Sequence, residues 1–140
     1  MNVSRGSITI STDPARLQPD TIVRDLHRQY WATTRPPEVT KRALEHSLCF
    51  GVYDGDEQIG LARVITDYAA FAYLCDVYIL ESHQGQGLGK WLVETVLEQP
   101  ELQTVRRFVL VTSSAAGLYE QFGFGALREP QIWMERIKEW

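Results

Sequence analysis

The chemistry-bearing residues are densest between Tyr78 and Lys90, where Gln84-Gly85-Gln86-Gly87-Leu88-Gly89-Lys90 sets three glycines at alternate positions. Without a Cβ, a glycine lets the main chain approach a ligand closely and turn several N–H groups inward. Leu88, Trp91, Leu92, Thr95 and Val96 then recur at helical spacing, so the loop runs into the start of an amphipathic helix. Clustered amides at the positive end of a helix dipole favour a phosphate or diphosphate, and Lys90 adds a point charge. Upstream, Phe71 to Leu80 is an almost unbroken aromatic and aliphatic run, as expected of a central strand covered on both faces. Two nucleotide motifs fail on spacing. A P-loop needs glycine where Gln84 stands and Ser or Thr where Trp91 stands, and a dinucleotide fingerprint needs G-x-G-x-x-G. What remains is a coenzyme A loop, a less common nucleotide site or a plain tight turn.

A second constellation lies downstream, Ala115-x-x-Leu118-Tyr119-x-x-x-Gly123-Phe124. Together with Gln84-x-x-Gly87-x-Gly89 after a strand and before a helix, it resembles the GNAT acetyltransferase superfamily, and the likeness covers most of the chain from Leu48 on. The resemblance implies acetyl-CoA as cofactor. It implies that backbone groups of Val77, Tyr78 and Ile79 pair with the pantetheine arm, and that the loop from Gln84 through Gly85, Gln86, Gly87, Leu88, Gly89 and Lys90 holds the diphosphate. Tyr119 would be the general acid for the leaving thiolate. Thr112 stands where many members have asparagine and is placed on the cofactor side, and Glu81 stands where many have proline.

The base is not marked by the same motifs. The inward positions of the central strand are Tyr73 and Cys75, while period-2 alternation puts Asp76 on the opposite face of a regular strand, where a structural role such as bonding to a loop backbone is expected ahead of a catalytic one. Water, Asp67 or an already neutral substrate would then take the place of a side-chain base. His83 is expected to face solvent, and His27 and His46 to be surface or half-buried side chains. For the acceptor, the likeness points to the first two helices and their loop, where Tyr30 and Trp31 offer aromatic faces and Arg35, with Arg63, offers a bidentate grip on a carboxylate. Tyr73 and Asp76 complete that side.

These residues need a scaffold, and the hydropathy pattern supplies one. Ile8 and Ile10 alternate with polar residues in a short strand; Thr21 to Trp31 and Pro37 to His46 carry helical periods. Leu48 to Tyr53 and Gln58 to Thr66 flank Asp54-Gly55-Asp56 as a hairpin, and Phe71 to Leu80 extends it. After the helix at Leu88 come a strand at Arg107 to Val111, a helix at Ala115 to Phe122, and closing strands at Phe124 to Leu127 and Ile132 to Arg136. The expected fold is a single α/β (α+β) domain over residues 1–140. Its central sheet is mixed and mostly antiparallel, with about six to seven strands, and about four helices flank it.

Composition narrows the class further. The chain has 140 residues, 44% of them hydrophobic, and a net charge of −4 without any basic cluster, which argues against nucleic acid as a partner. No stretch has the length of a signal peptide or membrane span, so a cytoplasmic protein without membrane contact is expected. Cys49 and Cys75 sit in apolar runs without metal-ligand spacing and read as small buried thiols, with no metal site. The expected activity is direct acetyl transfer to a primary amine of a small or amino-acid-like molecule, in a protein that could form a homodimer. Competing expectations are a non-catalytic acyl-CoA sensor or interaction module, and transfer to protein or peptide amines.

Overall fold

A computed structural model describes residues 1–140. The chain opens with a hairpin of which the alternation of Ile8 and Ile10 announces only half. Strand β1 (Asn2–Arg5) pairs antiparallel with β2 (Ile8–Ser11), and Gly6 makes the turn at φ 58°. Strand β1 escapes a hydropathy reading because only Val3 is half-buried. Helix α1 (Pro19–His27) starts on a proline at its first turn and buries Ile22, Val23 and Leu26. It stops four residues short of Trp31, because residues 28–36 turn back toward the sheet. Helix α2 (Pro37–Glu45) follows and buries Thr40 and Leu44.

The three long strands β3 (Leu48–Asp54), β4 (Glu57–Thr66) and β5 (Phe71–Ile79) form an antiparallel meander. Helix α3 (Leu88–Leu97) then crosses to β6 (Arg107–Leu110), which lies parallel to β5. A parallel neighbour requires such a crossover. Helix α4 (Ala116–Glu120) follows, and the six strands lie in the order in which they occur in the chain.

The sheet has a core on each face. Ile10, Phe50, Val52 and Val64 pack with Leu92 and Val96 of α3 in the larger cluster of 17 buried residues. On the other face Ile22 and Leu26 of α1 and Leu44 of α2 meet Cys49, Leu61 and Tyr78. Both cysteines are free thiols, Cys49 buried and Cys75 half-buried. The two closing strands expected at Phe124 to Leu127 and Ile132 to Arg136 do not form. Beyond Glu120 the only regular element is a single 3-10 turn at Pro130–Ile132, and no backbone ladder joins these residues to the free edge of β6.

Candidate active site

Strands β5 and β6 stay together only from Phe71 to Leu74, paired with Arg107 to Leu110. Past Leu74, β5 runs on to Ile79 beside β4 alone, and the sheet splits on its other side. A cavity of about 590 Å³ occupies this split. Val77, Tyr78 and Ile79 form one wall, and Ser114, Ala115, Leu118 and Tyr119 form the other. The glycine loop closes the end with Gln84, Gly85, Gly87, Leu88, Gly89 and Lys90. Gln86 does not line it, and Thr112 stands outside too, where its hydroxyl accepts the Ala115 N–H at 3.0 Å and fixes the entry to α4.

The loop's shape follows from its glycines. Gly85 and Gly87 hold φ of 82° and 77°, in the left-handed region that side chains disfavour, and Gly87 caps α3. Gln84 ties the loop to the strand, its Nε2 donating to the Ile79 carbonyl at 2.8 Å. None of the six main-chain amides from Gly85 to Lys90 finds an acceptor within the protein. Amides normally pair, and six consecutive free donors at a helix start and a cavity mouth suit an oxyanion-rich group such as a pyrophosphate. The residues present therefore fit the diphosphate of coenzyme A.

Tyr119 is buried among the residues of the larger core, yet its side chain reaches the cavity and its hydroxyl makes no hydrogen bond within the protein. Burial pushes its phenol above the ordinary value of 10.0, so it is protonated at neutral pH and available as a donor. Phe124 packs edge-on against its ring, with centroids 5.9 Å apart.

The alternation of β5 breaks in the middle. Arg63 pairs with Cys75 and Leu61 with Tyr78, so β5 carries one extra residue there, a bulge at which Asp76 takes φ 51°. Ala72 and Leu74 before the bulge face the α3 core, whereas Tyr78 after it packs against α1. Asp76 consequently lies with Tyr73 and Cys75 on the side of α1 and α2, not on the opposite face that a regular strand would give. Its carboxylate is gripped by Arg35 at 2.8 and 3.0 Å, by Arg63 Nε at 2.9 Å, and by the Trp31 indole N–H at 3.3 Å. Burial alone would raise its pKa, but the two guanidiniums outweigh burial and hold it below the usual aspartate value.

This cage corrects two expectations. Arg35 and Arg63 are committed to Asp76, and Arg63 also donates to Ser47 Oγ at 3.0 Å, so neither is a free grip for an acceptor carboxylate. Asp67 is likewise occupied, accepting the N–H groups of Ala69, Ala70 and Phe71 at 2.8 to 3.1 Å, which lower its pKa. Tyr73 is half-buried beside the cage with its phenol pushed up by burial first, and burial raises the thiols of Cys75 to about 11 and Cys49 to about 12. Neither cysteine is a thiolate nucleophile at neutral pH. Tyr30 is exposed, and its hydroxyl bonds to Ser113 Oγ, while its ring meets Trp31 edge-on at 5.2 Å.

His83, expected in solvent, has a side chain only 17% exposed, bonds through Nε2 to Asp54 at 3.0 Å and lines the cavity. Gln29 and Ser114 line it without having been singled out in the sequence, beside Ala115 and Leu118. Ala115 and Leu118 were legible, as they belong to the motif around Tyr119; Gln29 carried no signal.

Residues 18–124 match the model of the acetyltransferase (GNAT) family. The chain belongs to the GNAT acetyltransferase family and is an acyl-CoA-dependent acetyltransferase. A Gibberella zeae protein named as an acetyltransferase is 37% identical, over 84% of this chain and 78% of its own. A Xanthomonas campestris crystal structure, assigned to acetyltransferases of the same family, is 44% identical with a TM-score of 0.90 and covers 94% of each chain. The fold also matches a Clostridium acetobutylicum acetyltransferase crystallised with acetyl-CoA, at a TM-score of 0.70 and 15% identity over 93% of this chain and 96% of the other.

Proposed function

We propose that the protein transfers acetyl from acetyl-CoA directly to a primary amine of a small or amino-acid-like molecule. The observation that carries this reading is the cavity in the β5/β6 split, with the glycine loop and its unpaired amides at one end and the free Tyr119 hydroxyl on its wall. The Clostridium relative with acetyl-CoA supports the same cofactor here. Bound acetyl-CoA would supply an acetyl thioester whose sulfur is the leaving group.

The main chain of Val77 to Ile79, unpaired on the cavity side, would hold the pantetheine arm as an added strand edge, and the amides of Gly85 to Lys90 with the Lys90 ammonium would hold the diphosphate. Tyr119 would give its proton to the departing sulfur. The acceptor nitrogen forms the new bond to the acetyl carbon and loses one proton as the sulfur gains one. Asp76 and Asp67 are both engaged and hold their charge, so an acceptor ammonium would give its first proton to water, and the proton lost on bond formation would return through water to the Tyr119 phenolate. Raised thiol pKa values at Cys49 and Cys75 favour direct transfer over a covalent acyl-enzyme.

The acceptor would enter from the α1–α2 side. There the loop of residues 28–36 is tied to β5 by Trp31 and Arg35 and to the approach to α4 by Tyr30, which leaves a short wall of Tyr30, Trp31 and Tyr73. Such a tethered loop suits a compact acceptor better than a long peptide. Acetylation of amino acids, polyamines, arylalkylamines and peptides by the purified protein tests this. Turnover on compact amines is expected, and activity confined to peptides would overturn the acceptor class while leaving the cofactor site intact.

A further inference from the structure

The free amides of the glycine loop bind a diphosphate tightly only if they already converge before it arrives, and packing braces little of the loop. No heavy atom lies within 4 Å of the place where a Cβ would stand on Gly85, Gly87 or Gly89, and residues 84–87 are exposed. Three glycines in five positions also leave the backbone more conformations than residues with side chains would. The restraint comes from side chains at the loop's N-terminal end. Gln84 donates to the Ile79 carbonyl of β5 at 2.8 Å, and His83 reaches the end of β3, where its Nε2 lies 3.0 Å from Asp54 Oδ2.

The Asp54 end is well anchored. Asp54 is paired with Ile8 of β2 and Glu57 of β4, and the Gly55 N–H just beyond it donates to the Ser7 carbonyl at 3.4 Å. Hydrogen bonds from His83 and Ser7 hold its carboxyl below the ordinary 3.8, so it is ionised at neutral pH. An ionised carboxylate only accepts, which places an imidazole proton on Nε2 and turns Nδ1 toward the Ser82 hydroxyl at 2.8 Å. That hydroxyl can donate or accept, so the contact persists whether the ring is neutral or charged. His83 is half-buried between this anchor and the cavity, whereas Ser82 and Gln84 on either side of it are exposed.

We propose that His83 is a positioning residue for the cofactor: with Asp54 it forms a strut from the β3–β4 turn that fixes the amides of residues 85–90 in their diphosphate-binding arrangement before coenzyme A arrives. The strut acts through the loop and touches no reacting atom. The inference rests on the acetyl-CoA reading of the cavity and extends that site to a turn 29 residues earlier in the chain.

Titration calorimetry with coenzyme A measures the strut's contribution. His83→Ala should weaken binding roughly tenfold, as the loss of one charge-assisted hydrogen bond from a partly exposed pair implies. Asp54→Ala should weaken it as much, and the double variant no further, because either change releases the same strut. His83→Gln, whose carboxamide N–H can still donate to Asp54, should recover most of the affinity. In the ligand-free protein, 15N order parameters from Gly85 to Lys90 should fall in His83→Ala, while those of β3 to β5 and the circular dichroism stay as in the native chain. A native chain that takes up no coenzyme A would overturn the cofactor reading and this inference together. Native binding that His83→Ala equals, additive losses in the double variant, His83→Gln no better than His83→Ala, or unchanged order parameters would each overturn the inference alone.

Discussion

At the level of single residues, the site divides into one free donor and one locked carboxylate. Tyr119 is kept protonated by burial and has no internal partner, so Tyr119→Phe should lower kcat by roughly 10² or more while coenzyme A still binds, which steady-state rates and calorimetry would show. Asp76 is the reverse case. Its folded pKa lies below the ordinary 3.8, so the stability it contributes is fully present above pH 3.8 and is lost as the pH falls through the lowered value. Asp76→Asn strands two largely buried guanidiniums and should cost about 3 kcal/mol at pH 7, a difference that shrinks below pH 3.8. Urea midpoints between pH 7 and pH 3 check both the size and the direction. The types and spacing of these residues were visible in the chain, but the partners of Asp76 were not, because Arg35 and Arg63 reach it from 41 and 13 positions away.

Among the elements, the glycine loop and the bulged strand each set the geometry of one end of the cavity. Gly87 sits at φ 77° with no heavy atom near its missing Cβ, so space exists for a side chain but the backbone conformation disfavours one. Gly87→Glu should therefore cost only about 1–2 kcal/mol of stability, yet place a carboxylate among the free amides and abolish coenzyme A binding. Thermal melts and calorimetry separate the two effects, and normal binding would show that the loop is not the diphosphate site. Strand β4 offers no such space. A Cβ on Gly60 would stand 2.7 Å from the Tyr78 carbonyl oxygen, so the bare backbone there lets the end of β5 lie where it borders the cavity. Loop, helix and strand were all legible, since three alternate glycines before an amphipathic period have few other readings. The bulge was not, because one inserted residue leaves hydropathy unchanged while reversing every later side chain.

At the scale of the whole molecule, the sheet splits on one side of β6 and stays open on the other. The split opens the cavity lined by Tyr119 and the glycine loop, and the open edge borders an apolar groove. Phe124 touches both Phe108 in the groove and Tyr119 at the cavity, so one aromatic chain joins the two regions.

Read alone, the sequence determined what depends on neighbours in the chain: the glycine loop at a helix start, the Tyr119 motif, the meander from Leu48 to Ile79 and the family they define. Only the tertiary structure decided which face Asp76 occupies, that Arg35 and Arg63 serve it, that His83 turns inward, and that the expected closing strands do not form. The physical reason is separation. Turns, periods and caps are local and leave a mark in composition, while bulge registers, buried ion pairs and strand partners are selected by contacts between segments that sequence order keeps apart.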